Sequence, residues 1–276
     1  MAEITSQPNR LRVVESSANP LLKVFRRALA EGTTRDGWLA VEGPLLVEEA
    51  LRAGERATVQ SVLISEEGVR RSQPLLERLP KACEVTQTPD RLFRQIAQTE
   101  TPQGIAALVE LRTTNLEAVL GARDALLLVA CGLQDPGNLG TILRSAQAFG
   151  ASALITLAAT VSPFNPKAAR ASAGAVFHVP MLMGERPESL FKRLRAAGVR
   201  IVGTDRHSSV RIDDADLRGP LAVLIGQEAA GLPAEIARQA EMLVSIPIRA
   251  GMDSLNAATA ASIVLYEVAR QREFRY

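Results

Sequence analysis

Three turns in the second half of the chain carry polar side chains that could do chemistry. Asn138 and Arg144 lie on a segment that follows a short apolar run. Glu228 lies in a glycine-rich turn after a second apolar run, and Ser254 and Asn256 follow a third. Ligands of open α/β sheets bind beyond the carboxyl ends of the strands. Three such turns therefore predict one polar site built from several strand ends.

The segment from Asn138 to Gly150 predicts an amphipathic helix, with Asn138 as its N-cap and Gly150 at its end. An apolar stripe at helical spacing is formed by Ile142, Leu143, Ala146 and Phe149. Arg144 lies on the opposite face among small residues, which leaves space for a ligand to approach its guanidinium. A solvated arginine on an amphipathic helix is the alternative interpretation of this position.

The other two turns predict close backbone approach to a ligand. Glycines in the turn Gly226 to Gly231 allow such an approach. The turn lacks the lysine and hydroxyl ending of a P-loop, and no dinucleotide-binding glycine pattern follows a strand elsewhere. In the third turn, Ser254 or Asn256 is suited to cap a helix that begins with small residues at Ala257.

The order of apolar runs and helical patterns predicts an α/β fold in two parts. We expect an N-terminal domain over 1–112, a linker over 113–124 and a C-terminal domain over 125–276. Continuous apolar runs in the second part predict buried parallel strands. These predicted strands are 125–131, 153–157, 176–180, 199–204, 221–225 and 243–247.

Composition excludes several classes of protein. Lys and Arg number 32 and Asp and Glu number 30, so the net charge is too small to indicate nucleic-acid binding by itself. The two cysteines, Cys83 and Cys131, form no CxxC pair, and His178 and His207 lack metal-ligand spacing. We therefore expect no metal. The N-terminus has no signal pattern and no apolar stretch is long enough to span a bilayer, which predicts a cytoplasmic protein without a membrane partner.

As a set and in this order, the three segments resemble the signature motifs of the SpoU (TrmH-type) RNA ribose 2'-O-methyltransferases of the SPOUT superfamily. They read NLGTILRSAQAFG from Asn138, LIGQEAAGLP from Leu224 and IPIRAGMDSLN from Ile246. In the first half, WLAVEGPLLVEEAL from Trp38 and TPQGIAA from Thr101 resemble the substrate-binding domain that precedes many SpoU catalytic domains.

The resemblance implies a C-terminal domain with a deep trefoil knot that binds S-adenosylmethionine in a bent conformation. It implies cofactor contacts near Thr204, Gly226, Ile246 and Leu255. The implied catalytic surface comprises Asn138, Arg144, Glu228, Ser254 and Asn256. In the family, the arginine matching Arg144 is sometimes proposed as the base that activates the ribose hydroxyl. Because a guanidinium pKa above about 12 makes deprotonation costly, phosphate binding and hydroxyl alignment is the role we favour.

The segment 165–174 also resembles a segment of the family. Its residues Lys167, Arg170 and Ser172 are candidates for RNA contact. A solvated connection that begins a helix is the alternative there.

The resemblance also implies an RNA partner and a homodimer. Ribosomal RNA is favoured over transfer RNA. Two other classes stay open: a non-catalytic RNA-binding or ribosome-assembly factor on the same fold, and a nucleotide-dependent enzyme on a conventional doubly wound sheet. The sequence does not distinguish a housekeeping enzyme from an antibiotic-resistance one.

Overall fold

The computed structural model describes residues 11–228, 230–249 and 251–275. The chain divides into two compact units. The first unit comprises 1–112 together with the later segment 164–177, and the second comprises 113–163 and 178–276. The predicted boundary near residue 112 thus coincides with a break between units, whereas the return of 164–177 to the first unit has no signal in the sequence.

The first unit is a five-stranded mixed sheet with short helices, within the described residues. In chain order its elements are β1 (Arg12–Val13), α1 (Pro20–Glu31), β2 (Leu39–Glu42), α2 (Pro44–Arg52), β3 (Ala57–Ser65), α3 (Glu66–Arg71), α4 (Gln73–Leu76), β4 (Glu84–Thr88), α5 (Asp90–Arg94) and β5 (Ile105–Leu111). The strand order is β1-β4-β3-β5-β2, with β5 antiparallel to both neighbours. The carboxyl ends of β2, β3 and β4 consequently lie at one edge of the sheet, beside the start of β5.

The remaining elements run from α6 (Leu116–Leu120) to the C-terminus. They are β6 (Leu126–Ala130), α7 (Pro136–Ala148), β7 (Ala153–Leu157), α8 (Pro166–Ala171), α9 (Ala175–His178), β8 (Met181–Glu185), α10 (Pro187–Ala196), β9 (Arg200–Thr204), β10 (Leu221–Ile225), α11 (Ala234–Ala237), β11 (Met242–Val244) and α12 (Ala257–Gln271). In the described part of the chain, six of these strands form one parallel sheet in the order β11-β9-β10-β6-β7-β8. The α/β prediction is therefore confirmed.

Burial explains why these apolar runs form strands in the middle of the parallel sheet. All five residues of β6, β7 and β10 are buried, because helices cover both faces of a parallel sheet. One face packs into a core formed with Leu190, Phe191 and Leu194 of α10. The register of β6 and β10 aligns Ala130 with Ile225. Their carboxyl ends, from which the first two signature turns begin, are therefore level with each other.

Two sequence predictions differ from the structure. The predicted strand 176–180 is wrong: Ala175–His178 is a helical turn, and the strand lies at Met181–Glu185. A short apolar run does not by itself distinguish a strand from a buried helical turn. The predicted linker 113–124 contains α6, whose Leu116 and Val119 are buried in the core of the second unit. The sequence predicted a linker because most residues around Leu116 and Val119 are polar, and one apolar pair at helical spacing is a weak signal for a helix.

The C-terminal helix returns across the sheet. After β11 at the sheet edge, α12 packs against α7, where the Ser145 and Ser262 hydroxyls lie 2.7 Å apart. Gln271 of α12 donates to the Ala215 carbonyl and accepts from the Leu217 amide, which fastens the connection between β9 and β10 to this helix. The trefoil knot itself stays a prediction.

Candidate active site

The first motif positions Asn138 differently from the sequence prediction. Helix α7 begins at Pro136, and its N-cap is Asp135, whose carboxylate accepts from the Asn138 amide at 2.8 Å. The prediction of Asn138 as the cap is therefore wrong. A proline at the first helical position and an aspartate before it are strong start signals, and they place the cap at Asp135, three residues before Asn138. The Asn138 side chain is thereby released from capping.

Asn138 instead joins the three motifs through its side-chain amide. Its Nδ2 donates to Oε1 of Glu228 in the second motif. Its Oδ1 accepts from Nδ2 of Asn256 in the third motif at 2.9 Å. We call Glu228, Asn138 and Asn256 the polar relay. Since a carboxylate only accepts, Glu228 fixes which end of the Asn138 amide faces it.

Asn256 also holds the start of the last helix. Its Oδ1 accepts from the Ala258 and Thr259 amides at 2.9 and 3.2 Å, so Asn256 is the N-cap of α12. Of the two capping residues that the sequence allowed, Asn256 is the one used. The cap orients the Asn256 amide so that its nitrogen points at Asn138. The Asn256 side chain thus connects the start of α12 to the polar relay.

The second motif is a tight turn in which glycine is required. Gln227 and Gly231 exchange two backbone hydrogen bonds at 2.9 and 3.0 Å. A Cβ atom on Gly226 would collide with the carbonyl of Gly231 and the backbone nitrogen of Leu232. Gly231 has a φ of 66°, a conformation that side chains disfavour. The turn therefore presents its backbone directly to the space beyond β10.

A cavity of about 310 Å³ opens at the carboxyl ends of β9, β10 and β11. All four residues predicted to contact the cofactor line it: Thr204, Gly226, Ile246 and Leu255. Glu228 and Ser254 line it as well, so the polar relay reaches the cavity through Glu228. Ala237, Ala257 and Ala260 contribute small apolar surface. The volume lies at the lower end of the range typical of small-molecule sites.

Arg144 lies apart from the cavity lining. It is exposed on α7, and it has no hydrogen bond or ion pair with any residue that the structure describes. Its predicted position opposite the apolar stripe is confirmed, since Ile142, Leu143 and Ala146 are buried. The guanidinium is therefore available to an external anion.

The three residues predicted for RNA contact differ in accessibility. Lys167 and Arg170 are exposed on α8. Ser172 is only 1% exposed, and its hydroxyl donates to the Ala169 carbonyl at 2.7 Å. Burial and this internal bond remove Ser172 from the surface that RNA could reach. The helix was too short for the sequence to show which side faces inward.

Sequence reasoning missed three titratable residues of the cavity wall. Asp205, Arg206 and His207 follow β9 directly and line the cavity. Their only sequence signal is position, because they come immediately after a predicted strand that ends at Thr204. The sequence indicates no function for His207, because the residue lacks metal-ligand spacing.

Thiol and metal chemistry have no support in the described residues. Burial raises the pKa of the Cys131 thiol to about 12, and that of Cys83 to about 12 as well. Thiols with such pKa values are poor nucleophiles at neutral pH. No cluster of three or more His, Cys, Asp or Glu side chains in the described part of the chain is arranged to hold a metal ion. No helix in that part is both long and apolar enough to cross a bilayer.

A parallel sheet with a strand-end cavity and a polar relay from three motifs defines an α/β protein with a candidate small-molecule site at its sheet edge. The chain belongs to the SpoU rRNA Methylase family, whose model matches residues 125–266. Residues 26–107 match the MRM3-like substrate binding domain. The family resemblance of the motifs is thereby confirmed, and it spans both compact units.

Named relatives cover nearly the whole chain. The chain is 30% identical over 263 residues to the 23S rRNA (guanosine(2553)-2'-O)-methyltransferase RlmP of Bacillus subtilis, covering 94% of this chain and 99% of the relative. It is 35% identical over 202 residues to the 23S rRNA (uridine(2479)-2'-O)-methyltransferase of Streptomyces viridochromogenes, covering 71% and 70%. The AdoMet-bound rRNA methyltransferase from Sinorhizobium meliloti superposes with a TM-score of 0.82 at 32% identity, covering 94% and 98%.

Proposed function

We propose that this protein is an S-adenosylmethionine-dependent ribose 2'-O-methyltransferase of ribosomal RNA. The carrying observation is the polar relay of Glu228, Asn138 and Asn256, which joins three motifs at the cavity beyond the strand ends. Family membership and relatives named as 23S rRNA 2'-O-methyltransferases support the reaction. An AdoMet-bound relative of the same fold supports the cofactor.

The cavity fits the cofactor. Gly226 leaves no side chain between the cavity and the turn, and a Cβ there would clash. Ile246 and Leu255 offer apolar surface to an adenine ring, while backbone groups of the turn offer hydrogen bonds. When bound, S-adenosylmethionine supplies a methyl group on a sulfonium, which is already a good electrophile. The residues of the chain therefore have to position the acceptor oxygen and exclude water.

The relay and Arg144 divide that task. Glu228 and Asn256 hold the Asn138 amide in one orientation, which makes it a preorganised hydrogen-bonding group. The exposed Arg144 binds a phosphate of the RNA backbone, because a guanidinium is suited to bidentate contact with phosphate oxygens. Together they align the ribose 2'-hydroxyl for in-line attack. Lys167 and Arg170 supply further phosphate contacts.

Methyl transfer from labelled cofactor to ribosomal RNA tests this function. We expect transfer to large-subunit ribosomal RNA, blocked by 2'-deoxy substitution of the acceptor nucleotide, since the 2'-hydroxyl distinguishes RNA from DNA. Transfer to transfer RNA alone would favour the transfer-RNA alternative. The non-catalytic factor would be favoured if the protein bound the cofactor but transferred no methyl group to any RNA, whether free or in an assembling ribosomal particle.

We also propose a homodimer in the cytoplasm, where its ribosomal substrate is made. Phe149, Tyr266 and Phe274 form a run of aromatic contacts with ring centroids 5.9 Å apart in each pair. Tyr266 is 48% and Phe274 45% exposed, so the contacting rings form an exposed apolar patch, as interaction surfaces do. A second copy of the chain would cover this surface. Sedimentation velocity at micromolar concentration tests the dimer, and a monomer alone would contradict it.

A further inference from the structure

We propose that Arg206 binds the carboxylate of the cofactor's methionine moiety and so selects the complete cofactor. The inference rests on the cofactor site proposed above. Arg206 is the only arginine or lysine among the residues that the structure describes along the cavity. The sequence predicts no function for Arg206, because a single arginine after a strand belongs to no recognisable motif.

The Arg206 guanidinium is oriented but not fully occupied. Its Nε donates to Nε2 of His207 at 2.9 Å, and its Nη1 donates to the Asp253 carbonyl at 3.1 Å. Its Nη2 donates to no group within the described residues. The two bonds hold the plane of the guanidinium, and both N–H groups of Nη2 and the second N–H of Nη1 have no partner within the described residues. These N–H groups can donate to the oxygens of a carboxylate.

The charges around the cavity match an amino acid rather than an anion. Asp205 and Glu228 line the same cavity as Arg206 and His207. One oxygen of Asp205 accepts from the His207 amide at 2.9 Å, which fixes that carboxylate beside the cation. A simple anion such as phosphate would meet two carboxylates. A zwitterion would instead place its carboxylate at Arg206 and its ammonium toward the acidic groups.

Arg206, Glu228 and Asn138 follow three successive strands of the sheet. Strand β9 carries Arg206 at its end, β10 lies next to it and leads to Glu228, and β6 beyond β10 leads to Asn138. Neighbouring strands are about 4.8 Å apart. In the cofactor, a short carbon chain separates the sulfonium from the carboxylate. A carboxylate bound at the end of β9 would leave the sulfonium within reach of the end of β10, which leads to Glu228.

A purely structural role makes a different prediction. Through its bond to Asp253, Arg206 also connects the loop after β9 to the third motif. If that connection were its function, losing the side chain would loosen the cavity for every ligand. If it recognises the carboxylate, the loss falls only on ligands that have one.

Calorimetric titration with two ligands separates these roles. The ligands are S-adenosylhomocysteine and its decarboxylated analogue, and the proteins are the full-length wild type, Arg206→Ala, Arg206→Lys and Arg211→Ala. Arg211 is the matched control, because it is in the same loop but pairs with Asp213 and does not line the cavity. We expect Arg206→Ala to weaken S-adenosylhomocysteine binding about 10- to 100-fold, as for loss of a charged hydrogen bond. Its affinity for the analogue should match that of the wild type.

The other variants sharpen the test. Arg206→Lys should restore part of the affinity for S-adenosylhomocysteine, since it keeps the charge but not the bidentate geometry. Arg211→Ala should bind both ligands normally. Equal weakening of both ligands by Arg206→Ala, or no weakening of either, would overturn the proposal. Failure of the wild type to bind either ligand would instead overturn the cofactor site itself, and thermal unfolding of each variant verifies that it is folded.

Discussion

Glycines come close to other backbone groups beyond strand ends of both sheets, yet within the described residues they adjoin a cavity of ligand size in only one of the two. In the first unit, a Cβ on Gly68 would collide with the Gly104 carbonyl, so the chain itself fills the space beyond β3. In the second unit, the turn at Gly226 folds against Gly231 and leaves about 310 Å³ beyond it. Glycine at a strand end therefore indicates close backbone approach, and the neighbouring loops decide whether the backbone approaches itself or a ligand.

A glutamate near each edge shows the same contrast. Glu42 ends β2 and is buried, and its carboxylate accepts from the Gln98 amide at 2.7 Å and from the Thr99 hydroxyl. Glu228 is half-buried, accepts from Asn138 and lines the cavity. Both carboxylates are hydrogen-bonded. Glu42 holds one loop of its own unit, whereas Glu228 lines the cavity.

The largest expected effect comes from a matched pair of glycine variants. Gly226→Ala should abolish measurable S-adenosylhomocysteine binding, because its Cβ forces the Gly231–Leu232 backbone to move. Gly68→Ala meets an equally close carbonyl, and we expect it to destabilise the first unit by roughly 1–3 kcal/mol, as overpacking does. Calorimetric titration and chemical denaturation together measure both effects.

The comparison fails if the two glycines behave alike. Gly68→Ala should retain normal affinity in the folded protein, since Gly68 does not line the cavity. Loss of cofactor binding in Gly68→Ala, or wild-type binding in Gly226→Ala, would contradict the distinction between a closed and an open edge.

The next effect separates the two glutamates. Glu228→Gln keeps the shape of the side chain but removes the charge that orients Asn138, and we expect turnover to fall about 100-fold, as for loss of a preorganised electrostatic group. Stability should change by less than about 0.5 kcal/mol, as for most accessible positions. Single-turnover methyl transfer at saturating cofactor measures the rate.

Glu42→Gln is the matched control. Its new NH2 group would face the donors of Gln98 or Thr99, which should cost about 1–3 kcal/mol of folding free energy. Turnover per folded molecule should stay at the wild-type level. A large loss of turnover in Glu42→Gln without a loss of stability would give Glu42 a role in the reaction.

The sequence predicted the open edge better than it predicted the closed one. Thr204, Gly226, Ile246 and Leu255, which the family resemblance implies as cofactor contacts, all line the cavity. Gly226 directly follows β10, whose five buried apolar residues make the strand easy to recognise. Arg206 was missed although it comes two residues after Thr204. A side chain in an irregular loop has no periodicity, so only the three-dimensional arrangement shows which way it faces.

Errors arose where local signals competed. The prediction of Asn138 as a cap failed because Asp135 and Pro136, three and two residues earlier, are a stronger start signal. The prediction of a strand at 176–180 failed because Gly174, with a φ of 97°, and the turn that follows it curl the apolar run into a helical turn. The assignment of 164–177 to the first unit depends on contacts distant in sequence, which no local pattern encodes.

The smallest expected effect concerns Asn256, which belongs to both the fold and the relay. Asn256→Asp keeps an oxygen for the Ala258 and Thr259 amides, so the cap of α12 survives, but it has no donor for Asn138. Asn256→Ala loses both functions and should cost about 1 kcal/mol of stability, as caps do. We expect both variants to lose roughly 10-fold in turnover, about the effect of one hydrogen bond near 1.4 kcal/mol. The unfolding temperature should be lower for Asn256→Ala than for Asn256→Asp, whereas their turnover rates should be similar. If Asn256→Asp turned over like the wild type, the hydrogen bond to Asn138 would be a by-product of capping, and the relay would reduce to Glu228 and Asn138.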